Sequence, residues 1–327
     1  MKYSIIIPVY NRPQELEELL ESLTHQRYRH FEVIVVEDGS SLKADHVVRA
    51  FEGQLEVYYF YKENSGQGFS RNYGFERAKG DFFIVFDSDC IIPPDYLEQV
   101  DRAVKLRHLD AFGGPDKAHL SFTPIQRAIS YAMTSHMSTG GIRGSRRAAE
   151  KFRPRSFNMG ISRQVYEETK GFVITRMGED IEFSLRIEKH FFKTGLIREA
   201  FVYHKRRTSF RQFYRQLHFF GRARINVNRF HRGAIKWVHM LPALFVVFCF
   251  SLLLTPWLSP DLFKLELGGL ALYSSLLFSD ALARTKNLTV AFLSVGAVFV
   301  QLFAYGVGFL RELFRKAPVP DPDPGHK

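Results

Sequence analysis

The stretch Asp-Phe-Phe-Ile-Val-Phe-Asp-Ser-Asp, residues 81–89, decides the fold. Its five consecutive apolar residues are typical of a strand buried on both faces of a parallel sheet. Asp87 and Asp89 follow where that strand ends, which is the edge at which open α/β sheets bind ligands. Two adjacent carboxylates are costly unless a cation shares the site, and oxygen ligands suit Mg²⁺ or Mn²⁺. The pattern predicts a metal–diphosphate site, with an ordinary surface turn of Asp-Ser-Asp composition as the alternative.

Strand and helix patterns alternate around this stretch. Apolar runs predict strands at Tyr3–Val9, Phe31–Val36 and Leu55–Tyr61, and shorter ones at Asp110–Gly114 and Leu196–Tyr203. Short helical segments bounded by turn residues lie between the first strands. This alternation is typical of right-handed βαβ units, so we expect an α/β fold built on a parallel sheet.

Positive charge is concentrated in one block, residues 198–236. The chain carries 45 Lys and Arg against 34 Asp and Glu, a net charge of +11. This block holds eleven basic residues and one acid, Glu199. A basic block fits either nucleic acid or an anionic membrane surface. Because the residues after Lys236 are mostly apolar, we expect a membrane partner and no nucleic acid.

Long apolar segments follow the basic block. Ser209–Arg232 places aromatic side chains on one helical face among arginines, which is typical of an interfacial membrane helix. Trp237–Leu258 and Leu288–Leu310, with 22 and 23 residues, exceed the ~20 residues that cross a bilayer. Leu267–Ala283 is shorter and contains Asp280. The sequence therefore predicts two or three membrane helices.

The basic residues between and after these segments leave their number open. Arg284 and Lys286 place the link before the last segment on the cytoplasmic side. Arg311, Arg315 and Lys316 place the tail on the same side. Both placements cannot hold if all three segments cross the membrane. A re-entrant or interfacial third segment is the alternative, so the number of crossings is two or three.

Two further features concern the compartment and a loop. Cys90 and Cys249, the two cysteines, form neither a disulfide framework nor a zinc cluster, and Ser4–Val9 is too short for a signal peptide core. We therefore expect the soluble part to lie in the cytoplasm.

Six basic residues between Arg143 and Arg155 predict either a mobile loop over anionic substrate or a solvated loop of no special role.

Several short motifs occur in a fixed order along the chain, most of them where a strand gives way to a loop. They are Ile5–Arg12, Glu37–Ser40, Arg71-Asn72, Asp87-Ser88-Asp89 and Gly178-Glu179-Asp180. This ordered set resembles the family-2 inverting glycosyltransferases with a GT-A fold, specifically the membrane-anchored ones with C-terminal hydrophobic helices. The resemblance covers roughly residues 3–207 and implies a Rossmann-like mixed sheet and a nucleotide-sugar donor.

The resemblance also implies roles for residues on the donor side. Pro8, Tyr10 and Arg12 would line the nucleotide pocket, and Asp38 would accept an N–H of uracil or guanine. The remaining donor-side residues are Arg71, for the base or diphosphate, Asp87, for the ribose or metal, and Asp89 and His204, for Mg²⁺ or Mn²⁺. For Arg71 the alternative is an ordinary helix arginine that faces solvent. For His204 it is a histidine at a strand end whose hydrogen bonds are made within the protein.

On the acceptor side the resemblance points to Asp180 as the general base. An inverting transfer needs one base to deprotonate the acceptor hydroxyl, and a carboxylate at a helix N-terminus stays ionised. Glu179 and Asn158 are candidates for the acceptor region. Helix capping is the alternative for the Glu179-Asp180 pair.

One departure from the family pattern argues against processive polymer synthesis. Processive members carry Gln-x-x-Arg-Trp before their membrane helices, whereas Gln212 and Arg215 are followed here by Gln216. We therefore expect a non-processive transfer to a hydroxyl or phosphate of a lipid-linked or cell-envelope glycan. A membrane-anchored nucleotide-sugar-binding protein without turnover and a processive polysaccharide synthase are the alternatives.

The predicted organisation has four parts. A catalytic domain occupies residues 1–208 and a basic amphipathic region occupies 209–236. A membrane region occupies 237–310, and a cytoplasmic tail, predicted to be disordered, occupies 311–327. A bacterial-type inner membrane with the catalytic domain in the cytoplasm is the expected location.

Overall fold

The computed structural model describes residues 1–117, 119, 122–139, 152–175 and 177–315. These residues form two compact units. The first lies within Met1–His119 and Lys151–Lys205, and the second lies within Leu120–Glu150 and Arg206–Val319. The segment 122–139, which we expected in the catalytic domain 1–208, thus belongs to the second unit. Within that unit the buried face of this segment packs in one apolar cluster with residues of the C-terminal helices.

The strands form one large sheet and one small sheet. In chain order they are β1 Tyr3–Val9, β2 Phe31–Asp38, β3 Val57–Lys62, β4 Phe82–Phe86, β5 Cys90–Ile91, β6 Ala111–Gly113, β7 Asp116–Lys117, β8 Asn158–Ser162, β9 Thr194–Leu196 and β10 Val202–His204. The large sheet has the order β3-β2-β1-β4-β8-β6-β9, and the small sheet has the order β5-β10-β7.

The described helices are distributed over both units. They are α1 Pro13–Thr24, α2 Asp45–Phe51, α3 Gln67–Arg77, α4 Tyr96–Arg107, α5 Pro124–Thr134, α6 His136–Thr139, α7 Arg163–Thr169, α8 Glu179–Lys189, α9 Phe210–Phe230, α10 Leu241–Leu258, α11 Pro260–Thr285 and α12 Leu288–Leu313. Of these, α5, α6 and α9 to α12 lie in the second unit.

The first strands of the large sheet are parallel, as predicted. β1 pairs in parallel with β2 and β4, and β2 pairs in parallel with β3. Alternate residues enter different apolar clusters: Ile5 and Val33 lie in one, whereas Ile6 and Ile34 lie in the other. Both faces of the sheet are therefore buried, which explains the unbroken apolar runs of these strands.

The other half of the sheet differs from the parallel arrangement that the residue pattern predicted. β8 is antiparallel to both β4 and β6, so the sheet is mixed. The predicted strand Leu196–Tyr203 is two strands: β9 joins the large sheet beside β6, and β10 joins the small sheet beside β5. The break between β9 and β10 carries the chain from the large sheet to the small sheet.

The second unit is helical. α10, α11 and α12, with 18, 26 and 26 residues, are long and apolar enough to cross a membrane. The segment that we expected at Leu267–Ala283 is thus part of a longer helix. Residues 316–327, which include most of the predicted disordered tail, lie outside the described residues.

Candidate active site

The carboxyl ends of β1, β2 and β4 meet at one edge of the large sheet. The parallel register places Pro8 beside Val36 and Val9 beside Glu37. The motifs that follow these three strands, at residues 8–12, 37–40 and 87–89, therefore lie along a common rim. This is the edge at which parallel sheets bind ligands.

Asp89 is held by two cationic or potentially cationic side chains. Its Oδ2 lies 2.9 Å from Nη1 of Arg12, and its Oδ1 lies 3.0 Å from Nε2 of His204. The antiparallel pairing of β10 with β5 places His204 opposite Cys90, the neighbour of Asp89. The His204 ring also stacks on Phe157, with ring centroids 5.0 Å apart. Two residues from distant segments, Arg12 and His204, therefore hold this carboxylate, and Phe157 supports the His204 ring.

The chemistry of this cluster fits a divalent cation. One ligand atom each of Asp89, Cys90 and His204 can be chosen so that all lie within 4.8 Å of one another. Burial raises the pKa of the Cys90 thiol well above its usual value, and thiol sulfur suits Mg²⁺ and Mn²⁺ less well than oxygen ligands do. A carboxylate oxygen of Asp89 and an imidazole nitrogen of His204 remain, and both are common ligands of divalent metals.

Arg71 is fully buried and links two acids. Its Nη2 lies 2.8 Å from Oδ1 of Asp87, and its Nη1 lies 3.4 Å from Oε1 of Glu179. The guanidinium also lies over the ring of Phe172, 5.3 Å from its centroid. The alternative of a solvated helix arginine is therefore wrong. Arg71 instead joins the end of β4 to the start of α8.

Glu179 and Asp180 occupy different environments although they are neighbours. Glu179 is buried and accepts a hydrogen bond from Gln67 Nε2. Burial, followed by the charge of Asp180, raises the pKa of Glu179 to about 7, although Arg71 acts in the opposite direction. The Asp180 side chain is 20% exposed, and its Oδ2 lies 3.6 Å from Nη1 of Arg155. Asp180 is therefore the member of the pair that solvent and substrate can reach.

The start of α8 is positioned through the segment that precedes it. Asn72 on α3 donates to the carbonyl of Phe172 at 2.7 Å and accepts from its N–H at 2.8 Å. Gly68 lies so close to this segment that a Cβ there would be 2.6 Å from the carbonyl oxygen of Ile174. Two hydrogen bonds between the Asn72 side chain and the Phe172 backbone, together with this close approach, tie α3 to the chain just before Glu179.

Asp38 is committed to protein partners. Its Oδ1 accepts from Lys62 Nζ at 2.7 Å and from Ser65 N–H at 2.9 Å, and its Oδ2 accepts from Gly66 N–H at 2.9 Å. Burial raises the pKa of Asp38, but the hydrogen bonds from Lys62 and Ser65 outweigh burial and hold it below its usual value. Asp38 thus shapes the loop before α3, and its predicted contact with the nucleotide base stays a prediction.

The other predicted residues fall into two groups. Tyr10 is 53% exposed and Pro8 is half-buried, so both are accessible at the rim. Asn158 is fully buried, with its Oδ1 accepting from Tyr96 and its Nδ2 donating to the carbonyl of Ala200. The Asn158 amide therefore joins β8 to neighbouring segments, and its predicted place in the acceptor region stays a prediction.

The sequence did not reveal Lys62 and Gln67 as residues of the site, nor the contact that Arg155 makes with Asp180. Lys62 lies directly beside Asp38 in the β2–β3 register, so correct strand alignment would have found it. Gln67 opens α3 and reaches Glu179, and Arg155 reaches Asp180 from the basic segment. Neither contact has a signal in local sequence, because the partners lie far apart in the chain.

The predicted loop Arg143–Arg155 lies largely outside the described residues, including Arg143, Arg146, Arg147 and Lys151. Its described end is ordered around acids of α8: Arg153 Nη2 lies 3.5 Å from Oε2 of Glu188, and Arg155 approaches Asp180.

Comparison with known proteins agrees with this fold. Residues 4–170 match the family model of glycosyl transferase family 2. An uncharacterized glycosyltransferase of Rickettsia typhi is 38% identical over 108 residues, which are 33% of this chain and 33% of that protein. The glycosyltransferase GlyA of Streptococcus pneumoniae is 33% identical over 104 residues, 32% of this chain and 15% of that protein.

Two solved structures share the fold. The mannosyltransferase PcManGT from Pyrobaculum calidifontis, in complex with GDP-Man and Mn²⁺, superposes with a TM-score of 0.61 at 16% identity. That match covers 97% of this chain and 88% of the other. Residues 1–349 of S. aureus TarS give a TM-score of 0.50 at 18% identity, over 96% of this chain and 93% of the other.

The chain belongs to glycosyl transferase family 2. The expected GT-A fold and the expected class of protein, a family-2 glycosyltransferase, are both confirmed. The matched region covers a third or less of the length of the first curated relatives, so those relatives define the family of this chain rather than its substrates.

Proposed function

We propose that this protein is a metal-dependent inverting glycosyltransferase that uses a UDP- or GDP-sugar as its donor. The observation that carries the proposal is the grouping of two acidic pairs around buried Arg71, with Asp89 beside His204 and Asp180 partly exposed. The GDP-Man and Mn²⁺ bound by the structural neighbour from Pyrobaculum calidifontis support a nucleotide-sugar and a divalent metal as ligands.

In this proposal the donor binds along the rim of the sheet. Tyr10 and Pro8 offer exposed surface to the nucleotide, and Arg12 adds a positive charge close to Asp89. Asp89 and His204 would hold Mg²⁺ or Mn²⁺, which neutralises charge on the departing diphosphate. The same contact is an ordinary ion pair when His204 is protonated, so metal dependence is the feature to measure.

Asp180 acts as the general base. It takes the proton of the acceptor hydroxyl as that oxygen forms a bond to the anomeric carbon, from the face opposite the nucleotide. The bond between the anomeric carbon and the diphosphate oxygen breaks, and its electron pair leaves with the nucleoside diphosphate. Asp180 suits this role because it is partly exposed and lies in the first turn of α8, where the helix dipole favours a negative charge.

The acceptor is proposed to be a lipid-linked or cell-envelope glycan, modified without processive elongation. Three helices of sufficient length and apolarity support attachment to a membrane. Basic residues that precede and follow the first two of them, including Lys236 and Arg284, support a cytoplasmic location of the catalytic unit.

A donor screen tests the proposal directly. Full-length protein in detergent would be mixed with UDP- or GDP-sugars and Mn²⁺, and release of nucleoside diphosphate measured with and without membrane lipid extract. We expect one donor class to turn over and chelation of the metal to stop the reaction. A protein that is stabilised by such donors but turns none of them over would instead be a nucleotide-sugar-binding protein.

A further inference from the structure

The last long apolar helix, α12, is enclosed by protein, unlike the two before it. Every residue from Leu293 to Leu310 is buried or half-buried. In the most apolar window of α12, 44% of the residues are buried, against 17% for α10 and 6% for α11. A helix that faces lipid exposes large apolar side chains, so this covered helix differs in kind from its neighbours.

The cover of α12 includes the basic helix α9, which runs beside it in the same direction. Phe210 lies next to Gly296, Gly221 lies against the carbonyl of Tyr305, and farther along Arg229 Nη1 lies 3.0 Å from Glu312 Oε1. Gly221 leaves no space for a Cβ at this crossing, so the two backbones are in close contact.

This alignment conflicts with a membrane crossing by α12. Arg211 and Arg215 are exposed and follow Phe210 within two turns, so they lie beside the middle of α12. If α12 crossed the bilayer, these two arginines would be exposed at the depth of its hydrocarbon centre. Arginine at that depth is among the least favourable residues and is tolerated when it faces protein or water.

Buried polar side chains on α12 agree with a helix packed in a protein interior. Ser294, Gln301 and Glu312 are all buried. Glu312 is held by Arg222 Nε at 2.8 Å and by Arg229, both from α9. α12 thus meets its neighbour through charged contacts as well as apolar ones.

The helices α10 and α11 have the opposite character. They are antiparallel and joined by the single residue Ser259, and Glu266 on α11 accepts hydrogen bonds from Ser251 and Thr255 on α10. Large apolar side chains point outward along both helices. The exposed ones are Leu241, Leu244, Val247, Phe250, Leu253, Leu254, Trp257, Leu258, Leu262, Leu265, Leu267, Leu272 and Leu276.

The charges at the two ends of this hairpin favour one orientation. Arg232 and Lys236 precede α10, and Arg284 and Lys286 end α11, so its open end is basic. Asp261, Lys264 and Glu266 near the turn carry a net negative charge. By the positive-inside rule the open end lies in the cytoplasm and the turn on the far side.

We propose that α10 and α11 form a hairpin that crosses the bilayer twice, while α12 stays on the catalytic side of the membrane. There α12 is enclosed by α9, by α5 and by the basic end of the hairpin, where Pro242 and Phe278 contact it. The partner of the hairpin surface is the hydrocarbon of the bilayer. This arrangement places the basic residues after α11 and after α12 on one side, which removes the conflict between them noted in the sequence. It goes beyond the proposed reaction and does not depend on it.

Thiol labelling from each side of a sealed membrane tests this topology. Single cysteines are introduced into the full chain, in which Cys249 is replaced by Ala. Cys90 is buried and is left in place. Asp261→Cys marks the hairpin turn, Phe314→Cys marks the end of α12, and exposed Leu106→Cys on α4 marks the catalytic unit. Each is treated with a membrane-impermeant maleimide in right-side-out and inside-out vesicles.

We expect Phe314→Cys and Leu106→Cys to be labelled from the same side, and Asp261→Cys from the other. Labelling of Phe314→Cys together with Asp261→Cys would show three crossings and overturn the proposal. Labelling of all three from one side would show that the hairpin does not cross and would overturn it equally. Leu313→Cys serves as a second marker if Phe314→Cys does not accumulate, and labelling in detergent verifies that each thiol is reactive.

Discussion

The two acidic pairs at the rim, Asp87 with Asp89 and Glu179 with Asp180, are built alike. In each pair one carboxylate contacts the buried guanidinium of Arg71: Asp87 at 2.8 Å and Glu179 at 3.4 Å. We call these the inner carboxylates. The others, Asp89 and Asp180, are the outer carboxylates, and each has a different basic partner.

The difference between inner and outer carboxylates separates positioning from chemistry. Arg71 compensates the charge of both inner members and thereby holds the end of β4 near the start of α8. The outer members are left for ligands: Asp89 lies beside His204 and Arg12, and Asp180 is partly exposed beside Arg155. A substitution in an outer member should therefore change function, and one at Arg71 should change stability.

The largest effect is expected from Asp180→Asn. Removal of a general base lowers the rate of transfer by roughly 10²–10⁴-fold, because the acceptor hydroxyl loses its proton acceptor. The initial rate with the donor found in the screen measures this loss. Glu167→Gln, at an exposed position on α7, is the matched control and should keep the full rate. A rate for Asp180→Asn within a few-fold of the unmodified protein would remove Asp180 as the base.

The next largest effect is expected from Arg71→Met. This change leaves Glu179 buried without its cation. Breaking a buried ion pair costs at most about 3–5 kcal/mol, and the cost is smaller here because Glu179, with a pKa of about 7, can take up a proton. We place the loss near the lower limit because the Asp87 side chain is 31% exposed. Thermal unfolding of the purified protein in detergent should show a clearly lowered midpoint. The double variant Arg71→Met/Glu179→Gln should recover part of the loss, and no recovery would argue against this pairing.

A smaller effect is expected from Asp89→Asn. The variant loses one of two proposed metal ligands, so Mn²⁺ affinity should fall at least about tenfold. Electron paramagnetic resonance of free Mn²⁺ in the presence of nucleoside diphosphate measures this affinity. Asp45→Asn, on the surface helix α2, is the matched control. Unchanged Mn²⁺ affinity in Asp89→Asn would show that the contact with His204 is an ordinary ion pair.

The last expected effect is a dependence of stability on pH through Glu179. Its pKa of about 7 in the folded protein exceeds the value of 4.5 for an unperturbed glutamate. Between these values the folded protein keeps a proton that the unfolded chain releases, so stability falls as pH rises. The unfolding midpoint of the unmodified protein should fall more between pH 5 and 7.5 than that of Glu179→Gln. Parallel curves for the two proteins would contradict this assignment.

The sequence predicted the half of the sheet that surrounds the rim. Unbroken apolar runs identified β1, β2 and β4, because strands buried on both faces leave that pattern. Each run ended in polar residues, and the carboxyl ends of parallel strands meet at one edge. The positions of Asp38, Asp87 and Asp89 at the rim followed from this rule.

The features that the sequence did not predict depend on partners far along the chain. Helical spacing places Arg71 on α3 but does not reveal that Glu179 will lie against it. The antiparallel insertion of β8 and the transfer of α5 to the second unit are likewise set by tertiary packing. The resemblance assigned Asn158 to the acceptor region, and its contacts with Tyr96 and Ala200 had no signal in the sequence.

Calorimetric titration of the donor into Asp180→Asn and Asp89→Asn, side by side in Mn²⁺, tests the division of roles most directly. The account predicts that Asp180→Asn binds the donor with the affinity of the unmodified protein, and that Asp89→Asn binds it at least about tenfold more weakly. Equal losses of donor affinity in the two variants would contradict it.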